Sequence, residues 1–255
     1  MSMINKIKYL ILLLIFCANS AQSQEQLFNF KTKSIEVIDN GNIINKKNGK
    51  AISNDKNLEI IADNFQYLDK TKILRINGNA EIFINSNQLK ITFEKGIVNQ
   101  NELTFEAFGK IEAEDLNKKL RIYSKKIIFN NKDEVLFSPF ESIIEDGHGN
   151  KLIVDNFNYE LQKDLLKVNN LNFTDKNNNI LKSSVAYINT KSNNLYGKDV
   201  FVNLDNKTLN ENNEPRLKGN SIIDNVDNTE ITKGVFTTCK KRDGCPPWEL
   251  SAEKI

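Results

Sequence analysis

Proline, histidine and cysteine are all scarce in this chain, and each scarcity removes a class of explanation. The only prolines are Pro139, Pro215, Pro246 and Pro247. The long stretches between them are free to form uninterrupted hydrogen-bonded ladders. The single histidine is His148, so no histidine-based metal cluster can be assembled. Neither a GxSxG nucleophile elbow nor a GxxxxGK[ST] phosphate loop occurs. The one sizeable apolar run, Tyr9 to Ala18, is too short to span a bilayer comfortably. Of the three cysteines, Cys17 lies within that run, preceded by bulky Ile15 and Phe16 where a lipoprotein signal needs small residues. Arginine is limited to Arg75, Arg121, Arg216 and Arg242, while asparagine and lysine abound. That bias reads as genome base composition.

The N-terminus has the layout of a secretory signal. Lys6 and Lys8 precede the apolar run, and Ala21-Gln22-Ser23 fits a small-x-small cleavage site. Residues 1–23 are therefore expected to be a signal peptide, with an uncleaved anchor as the alternative. Removing the two lysines takes the 35 basic residues to 33, which equals the 33 acidic ones. Nothing in that balance points to nucleic acid. In an exported chain, Cys239 and Cys245 are disulfide candidates before they are metal ligands.

What the sequence does have is repetition. Similar segments open at Leu58 (LEIIADNFQY), Leu89 (LKITFEKGIV), Leu120 (LRIYSKKIIF) and Leu152 (LIVDNFNYEL), with a weaker copy near Leu181. The period is 31 to 32 residues. Within each copy, apolar residues alternate with polar ones, as in Leu58, Ile60, Ala62 and Leu103, Phe105, Ala107. Alternation means one buried face and one wet face. Each copy reads as three short strands, for example LEIIADNFQY, KILRING and NAEIFIN, separated by asparagine-rich turns. Gly78 and Gly109 fall at equivalent places, where a strand bends or bulges.

The expected fold is all-β, without significant helix after the leader. It is a jelly roll of stacked, facing antiparallel strands that alternate between two sheets and leave open edges. Residues 24–57 are expected to form N-terminal edge strands, with Asn40-Gly41 and Asn48-Gly49 as hairpin signals. The main repeat domain covers 58–230, within which Asn203 to Asn228 reads as a loose closing segment. Residues 231–255 change character and carry both cysteines and the only tryptophan.

Ile60-Ile61-Ala62-Asp63-Asn64-Phe65-Gln66-Tyr67, followed by Gly78-Asn79-Ala80-Glu81-Ile82, resembles the repeat of the OstA family of lipopolysaccharide-transport domains. That repeat is shared by periplasmic LptA and LptC and by the N-terminal domain of LptD. Phe236-Thr237-Thr238-Cys239 and the stretch Pro247 to Ile255 resemble the junction where the periplasmic domain of LptD-type proteins enters an outer-membrane barrel. The resemblance implies a β-jelly roll that passes lipopolysaccharide towards the outer membrane. It places the chain at the periplasmic face of that membrane, or in the periplasm if the chain ends at 255. A free-standing LptA-like bridge is the alternative. The implied partners are lipopolysaccharide, an LptA-like protein joined by strand addition at the N-terminal edge, and an LptE-type lipoprotein if a barrel follows. By resemblance, Cys239 bonds to the barrel region. A local Cys239–Cys245 bridge remains open.

The inward residues expected to meet lipid are Ile60, Phe65, Tyr67, Leu74, Ile76, Ile82, Ile84, Ile91, Phe93, Phe105, Phe129, Phe137, Val154, Phe157, Tyr159 and Phe173. For any single one of them ordinary core is the favoured reading, and the inward face as a whole is the better candidate for lipid. No catalytic residue, metal or cofactor is expected. His148, in Asp-Gly-His-Gly-Asn, reads as a turn. Lys118-Lys119 and Lys125-Lys126 read as a solvated face, with lipopolysaccharide phosphates as a lesser alternative. A carbohydrate-active β-solenoid would need an acidic cluster that these spacings do not supply. A purely structural or adhesive β-protein would bind no lipid.

Overall fold

The computed structural model describes residues 28–205, 213–241, 244 and 246–255. The leader, residues 24–27 and Cys245 lie outside them. The strands are β1 (Phe28–Ile38), β2 (Ile43–Ser53), β3 (Leu58–Leu68), β4 (Ile73–Ile84), β5 (Leu89–Asn99), β6 (Thr104–Asp115) and β7 (Leu120–Asn130). There follow β8 (Val135–Ser138), β9 (Ser142–Glu145), β10 (Lys151–Val154), β11 (Asn156–Glu160) and β12 (Leu165–Thr174). The chain closes with β13 (Ile180–Asn189), β14 (Leu195–Asn203), β15 (Arg216–Asp224), β16 (Thr229–Thr237) and β17 (Leu250–Lys254). Only two single 3-10 turns, Asp39–Gly41 and Leu161–Lys163, break the all-β character of the described residues.

Each long strand pairs antiparallel with its neighbours in the meander. The short strands are broken halves of longer ones. β8 and β9 both pair with β7, and β10 and β11 both pair with β12. The result is one continuous meander. Its period follows from its parts: an 11-residue strand and a 12-residue strand, each followed by a four-residue turn, 69–72 and then 85–88. The second and third strands expected per repeat are thus a single strand, bent in the middle.

The bend has a visible cause. In β3 the buried positions are Leu58, Ile60 and Ala62, then Phe65 and Tyr67. The parity switches because the register slips between Ile61 and Asn64, an irregularity repeated in the pairings of β4, β5 and β6. One extra residue re-aims the strand, so both halves keep their apolar face inward. Gly78 and Gly109 sit at these corners with φ of +80° and +101°. A Cβ on Gly78 would meet the Asp63 carboxylate, and one on Gly109 the Glu94 carboxylate. Asn48 and Gly49, expected in a hairpin, lie inside β2, where the backbone of Gly49 closely approaches Lys31 and Thr32 of β1.

Folding every long strand at its middle produces two walls around one core. The first wall ends in the turns at 54–57, 85–88, 116–119, 146–150 and 175–179. The second ends in the turns at 39–42, 69–72, 100–103, 131–134, 161–164 and 190–193. Many turns are capped by the last residue of the preceding strand. Asn99, Asp115, Asn130 and Asn189 each accept two backbone N–H groups from the residues that follow. Much of the asparagine therefore serves turn geometry, a physical role that base composition alone does not supply. The segment expected to be loose contains β15, which pairs on both sides, with β14 and with β16.

Candidate functional site

The strand registers place apolar residues in rows that cross the sheet. On the first wall one row runs Phe30, Ala51, Ile60, Ile82, Ile91, Ala113, Ile122, Ile144, Leu152, Phe173, Leu181, Val202, Leu217, Phe236 and Leu250. Each member is the direct cross-strand partner of the next, and none is polar. On the second wall the matching row runs Val37, Ile44, Tyr67, Leu74, Val98, Phe105, Phe129, Leu136, Tyr159, Leu166, Ile188 and Leu195. It stops at β14, where the next partner is Asp224. The two rows face each other with an offset. Asp115 of the first wall meets Tyr159 of the second, and Lys118 meets Asp164. The second wall therefore overhangs at β1, and the first wall overhangs at β17.

The exposure of these residues follows the offset. Ile60, Ile82 and Ile91 are fully buried, whereas Val37 at one end is 61% exposed and Leu250 at the other 57%. The interior is packed at its centre and open at both ends.

A slot between the two rows of turns gives side access. Its first cleft, about 260 Å³, is lined by Phe28, Leu58, Val98, Leu103, Phe105 and Phe129 among others. Its second, about 460 Å³, has an apolar floor that includes Leu120, Leu152, Leu166, Phe173, Leu181 and Ile188, under a polar rim with Lys118, His148 and Lys191. On the first wall, Leu58, Ile84, Leu89, Asp115 and Leu120 form successive cross-strand pairs along the lip. Asp115 is the polar interruption, and the slot is tied shut beside it.

The tie is a compact polar group. Asp115, 2% exposed, accepts hydrogen bonds from the Tyr159 hydroxyl at 3.0 Å and the Lys118 ammonium at 3.3 Å. Lys118 also reaches Asp164 at 2.7 Å, and Tyr159 pairs with the Thr190 hydroxyl at 3.0 Å. Burial alone would lower the pKa of Lys118. Its hydrogen bonds, first to Asp164 and then to Tyr159, outweigh that and hold the ammonium well above its usual range. Burial pushes the Tyr159 phenol up to about 12. Lys118, expected on a solvated face, is a clasp joining the two walls. Lys126 pairs with Glu106 and lies over the Phe108 ring.

Of the residues expected to face inward, Ile60, Ile82, Ile91 and Phe173 lie in the first-wall row. Tyr67, Leu74, Phe105, Phe129 and Tyr159 lie in the second. Phe65, Ile76, Ile84, Phe93, Val154 and Phe157 are buried elsewhere in the same core, and Phe173 is partly buried. Phe137 is different. Its neighbours Leu136 and Ser138 are buried while it is not, so it projects from the opposite face, where it borders a shallow outer pocket with Pro139 and Lys167. It is equivalent in the repeat to Arg75 and Glu106, which also point outward. Leu58 and Leu120 on the lip, and Leu152 and Leu181 in the first-wall row, belong to the site and were missed, although they mark the start of repeats. A strand-opening apolar residue lies beside a turn, so it sits at the slot.

His148 lies in the β9–β10 turn. Its N–H donates to the Asp146 carboxylate, which also accepts from Asn150. Cys239 is half-buried near the Trp248 carbonyl. Its pairing with Cys245 falls outside the described residues.

No known family model matches the chain, and no curated protein matches it. Among solved structures, the chain is similar to LptH of Pseudomonas aeruginosa, described as the LptA homologous periplasmic component of the lipopolysaccharide transport device. Identity is 12%, the match covers 55% of this chain and 81% of that one, and the TM-score is 0.24. A likeness of that size carries no argument, and the fold rests on the strand pairing itself.

Proposed function

We propose that this chain is an exported lipid carrier that holds lipopolysaccharide between its two walls and passes it along the sheet towards the outer membrane. The observation that carries the reading is the first-wall row, apolar without interruption from Phe30 to Leu250 and uncovered at its far end. A closed core needs no such exposed continuation, whereas a lipid track does. Each methylene of acyl chain moved from water onto the track gains about 0.8 kcal/mol. No chemical step is required, and the reading assigns no catalytic residue, metal or cofactor. The OstA-like motif at 60–67 and 78–82 supports lipopolysaccharide as the cargo.

The finer reading is the periplasmic front of an LptD-type translocon. It is supported by the sequence at 236–239 and 247–255, and by the fact that Phe236 and Leu250 of this segment continue the apolar row. Joining an LptA-like bridge through β1 fits the 11-residue edge, which pairs only with β2 among the described residues. An LptE-type partner and a bond from Cys239 to a barrel belong to the same reading. The mass and membrane fraction of the native polypeptide separate the two forms. A long outer-membrane product supports the translocon, and a short periplasmic one supports a free-standing bridge.

The cargo is tested by placing a photocrosslinking residue at Leu58, Leu181 or Leu217, and at Phe137 as the outward control. Lipopolysaccharide adducts are expected from the first three positions and not from Phe137. Equal yields at all four, or none, would overturn the proposal.

A further inference from the structure

Lys46 stands out on the inward face. Its cross-strand row runs Ile35, Lys46, Phe65, Ile76, Gly96, Ala107 and Ile127, so it is the only charged member of an apolar row. The residue as a whole is 7% exposed, its ammonium is only partly buried, and no carboxylate or other acceptor pairs with it among the described residues. The ammonium rests 3.4 Å from the centroid of the Phe30 ring. That contact offsets only part of the cost of burying a cation, and burial lowers its pKa.

A second group beside it is also unsatisfied. Thr32 occupies the register row between those of Phe30 and Lys46, and its buried hydroxyl has no hydrogen-bond partner. Ile35 and Val37, both 61% exposed, lie on the same face at the overhanging end of the second wall. A bare apolar shelf thus adjoins a partly buried cation one strand inward and a spare hydroxyl on its own strand. The buried acid of the interior, Asp115, is by contrast fully partnered in its clasp.

We propose that this shelf is the loading site for an anionic lipid, with the acyl chains on Ile35 and Val37 and a phosphate of the headgroup on Lys46 and Thr32. The inference rests on the carrier reading and names the headgroup chemistry that its N-terminal end selects. Charge complementarity favours the acidic lipid over a partner peptide. A peptide strand added to β1 would satisfy backbone groups at the edge and leave the inward ammonium unpaired.

The test measures binding of lipopolysaccharide, and of the same material after enzymatic removal of its phosphates, to the purified mature chain. The wild type is expected to prefer the phosphorylated form by about tenfold, as a charge-assisted hydrogen bond would give. Lys46→Met should lose the preference while binding the dephosphorylated form as well as the wild type does, and Lys46→Arg should keep it. Thermal melting of Lys46→Met checks the fold, which removal of an unpaired, partly buried charge should not weaken. An unchanged preference in Lys46→Met overturns the site and leaves the carrier reading standing. If, in addition, Lys46→Met self-associates, Lys46 is an edge guard. If the wild type binds neither form, the carrier reading itself fails.

Discussion

The two ends of the sheet are built from the same repeat and differ in what covers them. From β3 to β7 both walls are present, and inward residues such as Ile82, Ile91 and Phe129 are fully buried. From β15 to β17 the first wall continues without an opposite wall. Leu217 is only partly buried there, and Leu250 is largely exposed. The alternation of apolar and polar residues persists, but the covering layer does not. A period-2 pattern thus specifies which face is apolar, and the offset between walls decides whether that face becomes core or accessible surface.

The largest expected effect breaks that comparison directly. Ile91→Ala removes a fully buried side chain and should destabilise the fold by roughly 2–5 kcal/mol in urea titration. Leu217→Ala, in the same cross-strand row, should cost below about 1 kcal/mol, because little of its burial is lost. Equal costs would mean that the C-terminal overhang is covered after all. The lipid adduct at Leu181, two strands away in the same row, is expected to fall in Leu217→Ala, which hardly affects stability, and that separates track from core.

The clasp sharpens the comparison from the middle of the molecule. Lys118→Met leaves the buried Asp115 carboxylate with the Tyr159 hydroxyl and two turn N–H groups but no cation. A loss of about 1–3 kcal/mol is expected, visible as a lower melting temperature, and Asp115→Asn in the same chain should recover part of it. The pH dependence has a definite sign. Tyr159 and Lys118 both bind their protons more tightly in the folded state, so the unfolded chain loses them first. Their contribution is complete below about pH 10 and declines as the pH rises, that of Tyr159 through about 12 and that of Lys118 higher still. In Lys118→Met that alkaline decline should be shallower.

Much of this was legible in the residues. The 31-residue spacing of Leu58, Leu89 and Leu120 follows from two strands and two turns, and nearly every side chain expected inward is in the core. What escaped were features that depend on contacts distant in sequence. KILRING and NAEIFIN read as two strands because Gly78 and Asn79 look like a turn, yet the backbone there bends without breaking the ladder. Lys118 looked solvated because its partner Asp164 lies 46 residues away. Phe137 occupies the outward place that Arg75 and Glu106 hold in the preceding copies, and its aromatic side chain suggested an inward one. Lys46 sat inside a lysine-rich stretch, and only the pairing with Phe65 shows which way it points.

The smallest expected effect compares the corners. β6 turns its corner with Gly109 at φ +101°, whereas β16 uses Lys233 at φ +49°. A left-handed backbone costs an ordinary L-residue roughly 1–2 kcal/mol, and glycine almost nothing. Gly109→Ala should therefore destabilise by about that amount, with an added clash against Glu94. Lys233→Gly should act in the opposite direction. Its gain is reduced by the entropy that glycine adds to the unfolded chain, roughly 0.4–1 kcal/mol, leaving a net stabilisation of a few tenths to 1 kcal/mol. Urea titration resolves a difference of that sign between the two variants. If Lys233→Gly destabilises instead, the Lys233 side chain makes a contribution at that corner beyond its backbone. The C-terminal overhang would then be held by more than its ladder of backbone hydrogen bonds.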